Sequence, residues 1–102
     1  MRLYIIVASA LSAGLKIAQA CHALRAFVEA YPTEEGRWYS ESNNLVVLEH
    51  RDIVEAADDL ERRGLRIVRF REPDLADQLT AICVEPTQGA RRILADYRLA
   101  AR

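Results

Sequence analysis

The chain has almost no lysine. Of its 14 basic residues only Lys16 is not arginine, so Lys16 is the sole side-chain amine available for lysine chemistry. Charge of one sign is also missing. With 15 acidic residues the formal net charge is −1, which excludes a polybasic tail and leaves nucleic acid only a local patch to bind. The two cysteines, Cys21 and Cys83, stand far apart with no CxxC or Cys/His ligand spacing, which argues against a structural zinc site. In otherwise apolar stretches they read as reduced core residues of a cytoplasmic protein. No apolar run approaches the roughly 20 residues that span a bilayer. The start, Met1-Arg2 before apolar residues 3–7 and Ala8-Ser9-Ala10, imitates a signal peptide. Its apolar run is shorter than the roughly seven to fifteen residues of a secretory core, so the segment reads as a mature strand. There is no Gly-rich phosphate loop, GxSxG elbow or HExxH, which leaves dinucleotide, serine-hydrolase and zincin chemistry without support.

What is present is an ordinary globular mix, 51% apolar and 28% charged over 102 residues, the size of a single domain over 1–102. Residues 3–8 are continuously apolar and rich in β-branched side chains, as in a strand buried on both faces. A small-residue turn follows over 9–14. Over 15–31 the spacing of Ile17, Cys21, Leu24 and Val28 predicts a helix with that face buried, stopped by Pro32. Residues 33–44 are polar and read as a surface loop holding Trp38 and Tyr39. A second strand is predicted over 45–48. Asp52 then caps a helix, with Glu55 completing a capping-box pattern, Ile53, Ala56, Ala57 and Leu60 as its stripe, and Gly64 as its left-handed stop. Strands over 65–71 and 79–84 flank a loop around Pro73. After Pro86 and Thr87 a last helix carries Ala90, Ile93, Leu94 and Tyr97 on one side. The expected fold is α/β, a four-stranded mixed sheet sandwiched by helices in the order β-α-β-α-β-β-α.

In an open α/β sheet, ligands bind outside the carboxyl ends of the strands. The first helix start, the 72–78 loop and the Trp38 loop are the segments that can converge there. Gln19 and His22 share a helix face. An imidazole with an ordinary pKa near 6.5 suits a general base or a water-orienting group, with Gln19 holding substrate or water through its amide. Against this stands a His22 that merely closes a packing interface. Lys16, three residues before Gln19, can reach the same mouth or be solvated. Glu72, Asp74 and Asp77 crowd one loop, either as a solvated acidic turn or with Glu72 or Asp74 orienting His22 or Lys16. Thr80 can add a hydroxyl. The densest basic set, Arg62, Arg63, Arg66, Arg69 and Arg71, reads first as a salt-bridged face and second as a phosphate-contacting stripe.

The run Gly14-Leu15-Lys16-Ile17-Ala18-Gln19-Ala20-Cys21-His22-Ala23 resembles the Gly-Lys-x-x-Ala-Gln-x-x-His-Ala signature of type-2 peptidyl-tRNA hydrolases. Trp38 before Asn44-Leu45-Val46-Val47-Leu48, the strand over 65–71, and Leu79-Thr80-Ala81-Ile82 up to Pro86 resemble later parts of the same pattern. The resemblance implies a homodimeric α/β domain that hydrolyses the ester between a peptide and the terminal ribose of tRNA, with no metal or organic cofactor. Gly14, Gln19, His22, Ala23 and Thr80 match residue by residue. The family's lysine directly follows the glycine, where this chain has Leu15. Lys16 is one step later, a rotation of about 100° on a helix. The family's active-site aspartate aligns with Glu72, with Asp74 as the alternative.

Three functions follow. The first is a peptidyl-tRNA esterase in which His22 activates water, Glu72 or Asp74 fixes the base, Lys16 meets phosphate or oxyanion, and Gly14, Gln19 and Thr80 bind substrate. The second is a catalytically impaired module of the same fold that binds tRNA ends, nucleotides or a protein. The third is a homodimeric accessory protein without a small-molecule site.

Overall fold

The computed structural model describes residues 1–100. Five β-strands form one sheet: β1 Arg2–Ala8, β2 Asn44–His50, β3 Ile67–Glu72, β4 Gln78–Val84 and β5 Arg98–Leu99. Their spatial order is β3-β4-β1-β2-β5. β1 and β2 run parallel, and every other neighbouring pair is antiparallel, which makes the sheet mixed and open. Among the described residues four helices cover it: α1 Ala13–Ala30, α2 Pro32–Glu41, α3 Ile53–Arg62 and α4 Gln88–Ile93. Among the described residues, no helix is long and apolar enough to cross a membrane.

β1 is the central strand, and its unbroken apolar run is explained by burial on both faces. Leu3, Ile5 and Val7 pack with Ala20, Ala23 and Phe27 of α1 and Trp38 of α2. Tyr4 and Ile6 face the other way, onto Ile53, Ala57 and Leu60 of α3, Ala90 of α4 and Leu94. Each fully buried aliphatic side chain contributes about 1.5–3 kcal/mol relative to exposure, so this strand anchors both layers. α3 begins where the sequence places it, with the Asp52 carboxylate accepting the Glu55 backbone N–H at 3.1 Å. Beyond its C-terminus Gly64 takes a φ of +89°, a conformation that favours glycine.

Among the described residues the sheet has five strands, not four. The additional strand, β5, pairs Arg98 with Glu49 and Leu99 with Leu48. Tyr97 therefore does not end a long last helix. α4 stops at Ile93, a 3₁₀ turn covers Leu94–Asp96, and the chain then folds back along β2. Residues 33–44 are not a loop for most of their length. Pro32 stops α1 but is also the first residue of α2, where its missing N–H costs nothing. The full order is β-α-α-β-α-β-β-α-β.

The buried face of α1 also differs from expectation. Gln19, Ala20, Ala23 and Phe27 point into the protein, while Cys21 is exposed and Ile17 is 68% exposed. The rotated face puts small alanines against the sheet. Cys83 alone is a core thiol, and burial pushes its pKa far above the usual range.

Candidate active site

β3 and β4 carry one irregularity, and it aims a functional side chain. Phe70 pairs with Ala81 but Arg71 pairs with Leu79, so Thr80 has no partner on β3 and forms a β-bulge. Leu79 and Ile82 face the α3 side, whereas Ala81 packs on the α1 side. The extra residue turns Thr80 toward α1 as well, a common use of bulges beside functional sites.

There the Thr80 hydroxyl donates to Gln19 Oε1 at 2.5 Å, and Gln19 Nε2 donates to Glu72 Oε1 at 2.9 Å. Gln19 is 1% exposed and Thr80 fully buried, so hydroxyl and amide form a fixed relay that ends on the half-buried Glu72. The second carboxylate oxygen of Glu72 accepts the backbone N–H of Asp74 at 3.3 Å, closing the 3₁₀ turn Pro73–Leu75. These two donors, the Gln19 amide first, hold the Glu72 pKa below its ordinary value, with a smaller contribution from the nearby His22. Glu72 is therefore an anion at neutral pH.

His22 lies one helical turn after Gln19 on α1. Its ring is exposed to solvent and stacks on Phe70 of β3, centroids 4.7 Å apart and planes 20° apart. It is not sealed among aliphatic neighbours. Phe70 escaped the sequence reading, although strand alternation puts it on the same face as Glu72, two residues on.

Lys16 lies elsewhere. Its Nζ meets Glu49 Oε2 at 2.8 Å, with both side chains largely buried. Because Val7 pairs with Glu49 on one side and with Ala81 on the other, Lys16 and Gln19 lean to opposite sides of β1 at the same end of the sheet. Glu49 was missed because the contact spans 33 residues and nothing local signals it.

No protein-family model and no curated protein matches the chain.

The remaining sequence candidates divide plainly. Gly14 sits in the exposed first turn of α1, with open space around it. Asp74 contributes its backbone N–H to Glu72, and its side chain is exposed. The Trp38 segment does not converge on this end. Trp38 is buried on α2 and its indole N–H donates to the carbonyl of Asn44, the first residue of β2, at the opposite end of the sheet. Most of the arginine set is salt-bridged: Arg62 and Arg63 to Asp59, Arg66 to Glu34, and Arg69 to Asp58 and Glu61. Among the described residues, no three His, Cys, Asp or Glu side chains are placed to hold a metal ion.

Proposed function

We propose that the chain hydrolyses the ester joining a peptide to the terminal ribose of tRNA, acting in the cytoplasm as a homodimer. The observation that carries this is the Thr80–Gln19–Glu72 relay, which fixes an ionised carboxylate beside an exposed imidazole on the resembling motif. His22 accepts a proton from water as the water oxygen bonds to the ester carbonyl carbon. The tetrahedral adduct collapses by breaking the bond to the ribose oxygen, and His22 returns the proton to that oxygen. Glu72 stabilises the imidazolium formed in between, and Phe70 sets the plane of the ring. Gln19 and Thr80 are buried with their polar atoms used internally, so they position Glu72 rather than bind substrate. No metal or organic group is invoked.

Homodimer formation finds a surface in the apolar groove of about 430 Å³ beside α1, where Ile17, Cys21 and Leu24 face Leu45 and Val47 of β2.

The second reading, an impaired module that binds tRNA ends, nucleotides or a protein without turnover, is favoured by one observation. Lys16 is tied to Glu49 instead of facing the relay.

Release of free tRNA from peptidyl-tRNA by wild type and by His22→Ala separates the two. The hydrolytic reading expects the variant to fall by about 10²–10⁴, the usual contribution of a positioned acid–base group. Intact substrate with wild type, accompanied by a ligand-raised melting temperature, selects the binding module. Equal rates for wild type and variant remove the role given to His22.

A further inference from the structure

We infer that the polar cleft at the carboxyl end of β2 is a second site, which takes phosphates of a single-stranded RNA segment. The inference rests on the hydrolytic reading for the identity of the RNA and on its own geometry for the phosphate chemistry.

The cleft, of about 440 Å³, is bounded by Ser9 after β1, His50 and Arg51 at the end of β2, and Asp96, Tyr97 and Arg98 entering β5. The pairing of Glu49 with Arg98 sets Arg98 beside the end of β2, and Arg51 stands in the bend that follows that strand. Arg51 and Arg98 are exposed, and neither meets a carboxylate among the described residues. By contrast, Arg62, Arg63, Arg66 and Arg69 are all ion-paired. Glu49 also lines the cleft, but its charge is balanced by Lys16 at 2.8 Å. Among the described residues the cleft is lined by two arginines and by Asp96, which has no ion pair. His50 adds a donor. Its Nδ1 accepts the Asp52 backbone N–H at 2.9 Å, which puts the proton of the neutral ring on Nε2, and the ring is held against Tyr97 at 5.4 Å. Two arginines lining one cleft with the His50 ring and the Ser9 and Tyr97 hydroxyls offer donors that suit phosphate oxygens better than a neutral ligand.

Position supplies the link to RNA. In the order β3-β4-β1-β2-β5 the cleft lies by β2 and β5 and the His22–Phe70 pair over β3, so they flank β1 at one end of the sheet, three to four strand spacings or about 14–19 Å apart. A chain whose ester reaches His22 can lay its phosphates in the cleft.

The test is the salt dependence of binding of a fluorescent single-stranded RNA dodecamer, between 50 and 200 mM salt. Each phosphate contact on a single strand contributes about 0.7 to the slope of log affinity against log salt. Arg51→Gln with Arg98→Gln should lower the slope by about 1.4 and weaken binding at least tenfold at the lower salt. Arg51→Lys with Arg98→Lys should keep most of the slope. Arg91→Gln with Arg92→Gln, on α4, should match wild type. An unchanged slope in the Arg51/Arg98 glutamine pair, an equal loss in the Arg91/Arg92 pair, or no binding by wild type overturns the cleft assignment. Displacement of the dodecamer by an equal concentration of inorganic phosphate overturns the RNA assignment in favour of a free-phosphate site. His22→Ala should bind the dodecamer with the wild-type slope. Absence of ester hydrolysis would defeat the catalytic reading without touching this slope.

Discussion

Replacing Gln19 by leucine would remove a buried amide of similar volume and leave the Thr80 hydroxyl, fully buried, with no acceptor. An orphaned buried hydroxyl costs about 1–3 kcal/mol, whereas removing both partners of a buried hydrogen bond is nearly neutral. Gln19→Leu and Thr80→Val should therefore each destabilise by about 1–3 kcal/mol, the second because it strands Gln19 Oε1. The double variant should be less destabilised than the sum, with a coupling of about 1–2 kcal/mol. At about 4–8 °C per kcal/mol for a domain of this size, each single variant is resolvable by thermal melting, and urea titration gives the free energies. Hydrolysis by the double variant should stay low although its fold is recovered, because Glu72 still lacks its amide anchor. Strictly additive destabilisation would refute the relay, and full activity in the double variant would refute its positioning of Glu72.

Three further outcomes follow from individual residues. Ala76 sits at φ +55°, a left-handed conformation costly for alanine, so Ala76→Gly should raise stability by about 0.5–1 kcal/mol in urea melts; a loss would mean the turn is unstrained. A thiol reagent should label the native protein once, at Cys21, and reach Cys83 only on unfolding; a subunit contact over the groove should slow the Cys21 reaction as protein concentration rises. Because the folded Glu72 pKa lies below the ordinary value of 4.5, the stability it confers is complete above that value and is lost as pH falls through the folded one. Glu72→Gln should remove that part of the acid dependence, and an unchanged acid limb in calorimetry would contradict the assignment.

Much of the fold was legible because single residues announced it. The apolar run of β1, the Asp52 cap and the Gly64 stop all lie within a few residues of what they determine. α2 was obscured because its only buried residue is Trp38 amid polar neighbours, although Pro32 followed by Glu34 and Glu35 is a helix-start signal. The face of α1 was misread because Ile17, Cys21 and Leu24 outweigh alanines in any hydrophobicity count. A buried glutamine is sensible only once its partners, Glu72 and Thr80, are known. β5 is two residues long and has no periodicity to detect. At the site, the motif on α1 pointed to Gln19 and His22, but the bulge that turns Thr80 inward depends on strand register. So does the diversion of Lys16 to Glu49.

The catalytic role given to His22 and Glu72 is tested most directly by the rate of tRNA release from peptidyl-tRNA with four proteins: wild type, His22→Ala, Glu72→Gln and the double variant. The account predicts measurable release by wild type, a loss of about 10²–10⁴ in His22→Ala, a smaller loss in Glu72→Gln, and a double variant no slower than His22→Ala alone. Wild-type release at the uncatalysed rate, or losses that multiply independently in the double variant, would contradict it.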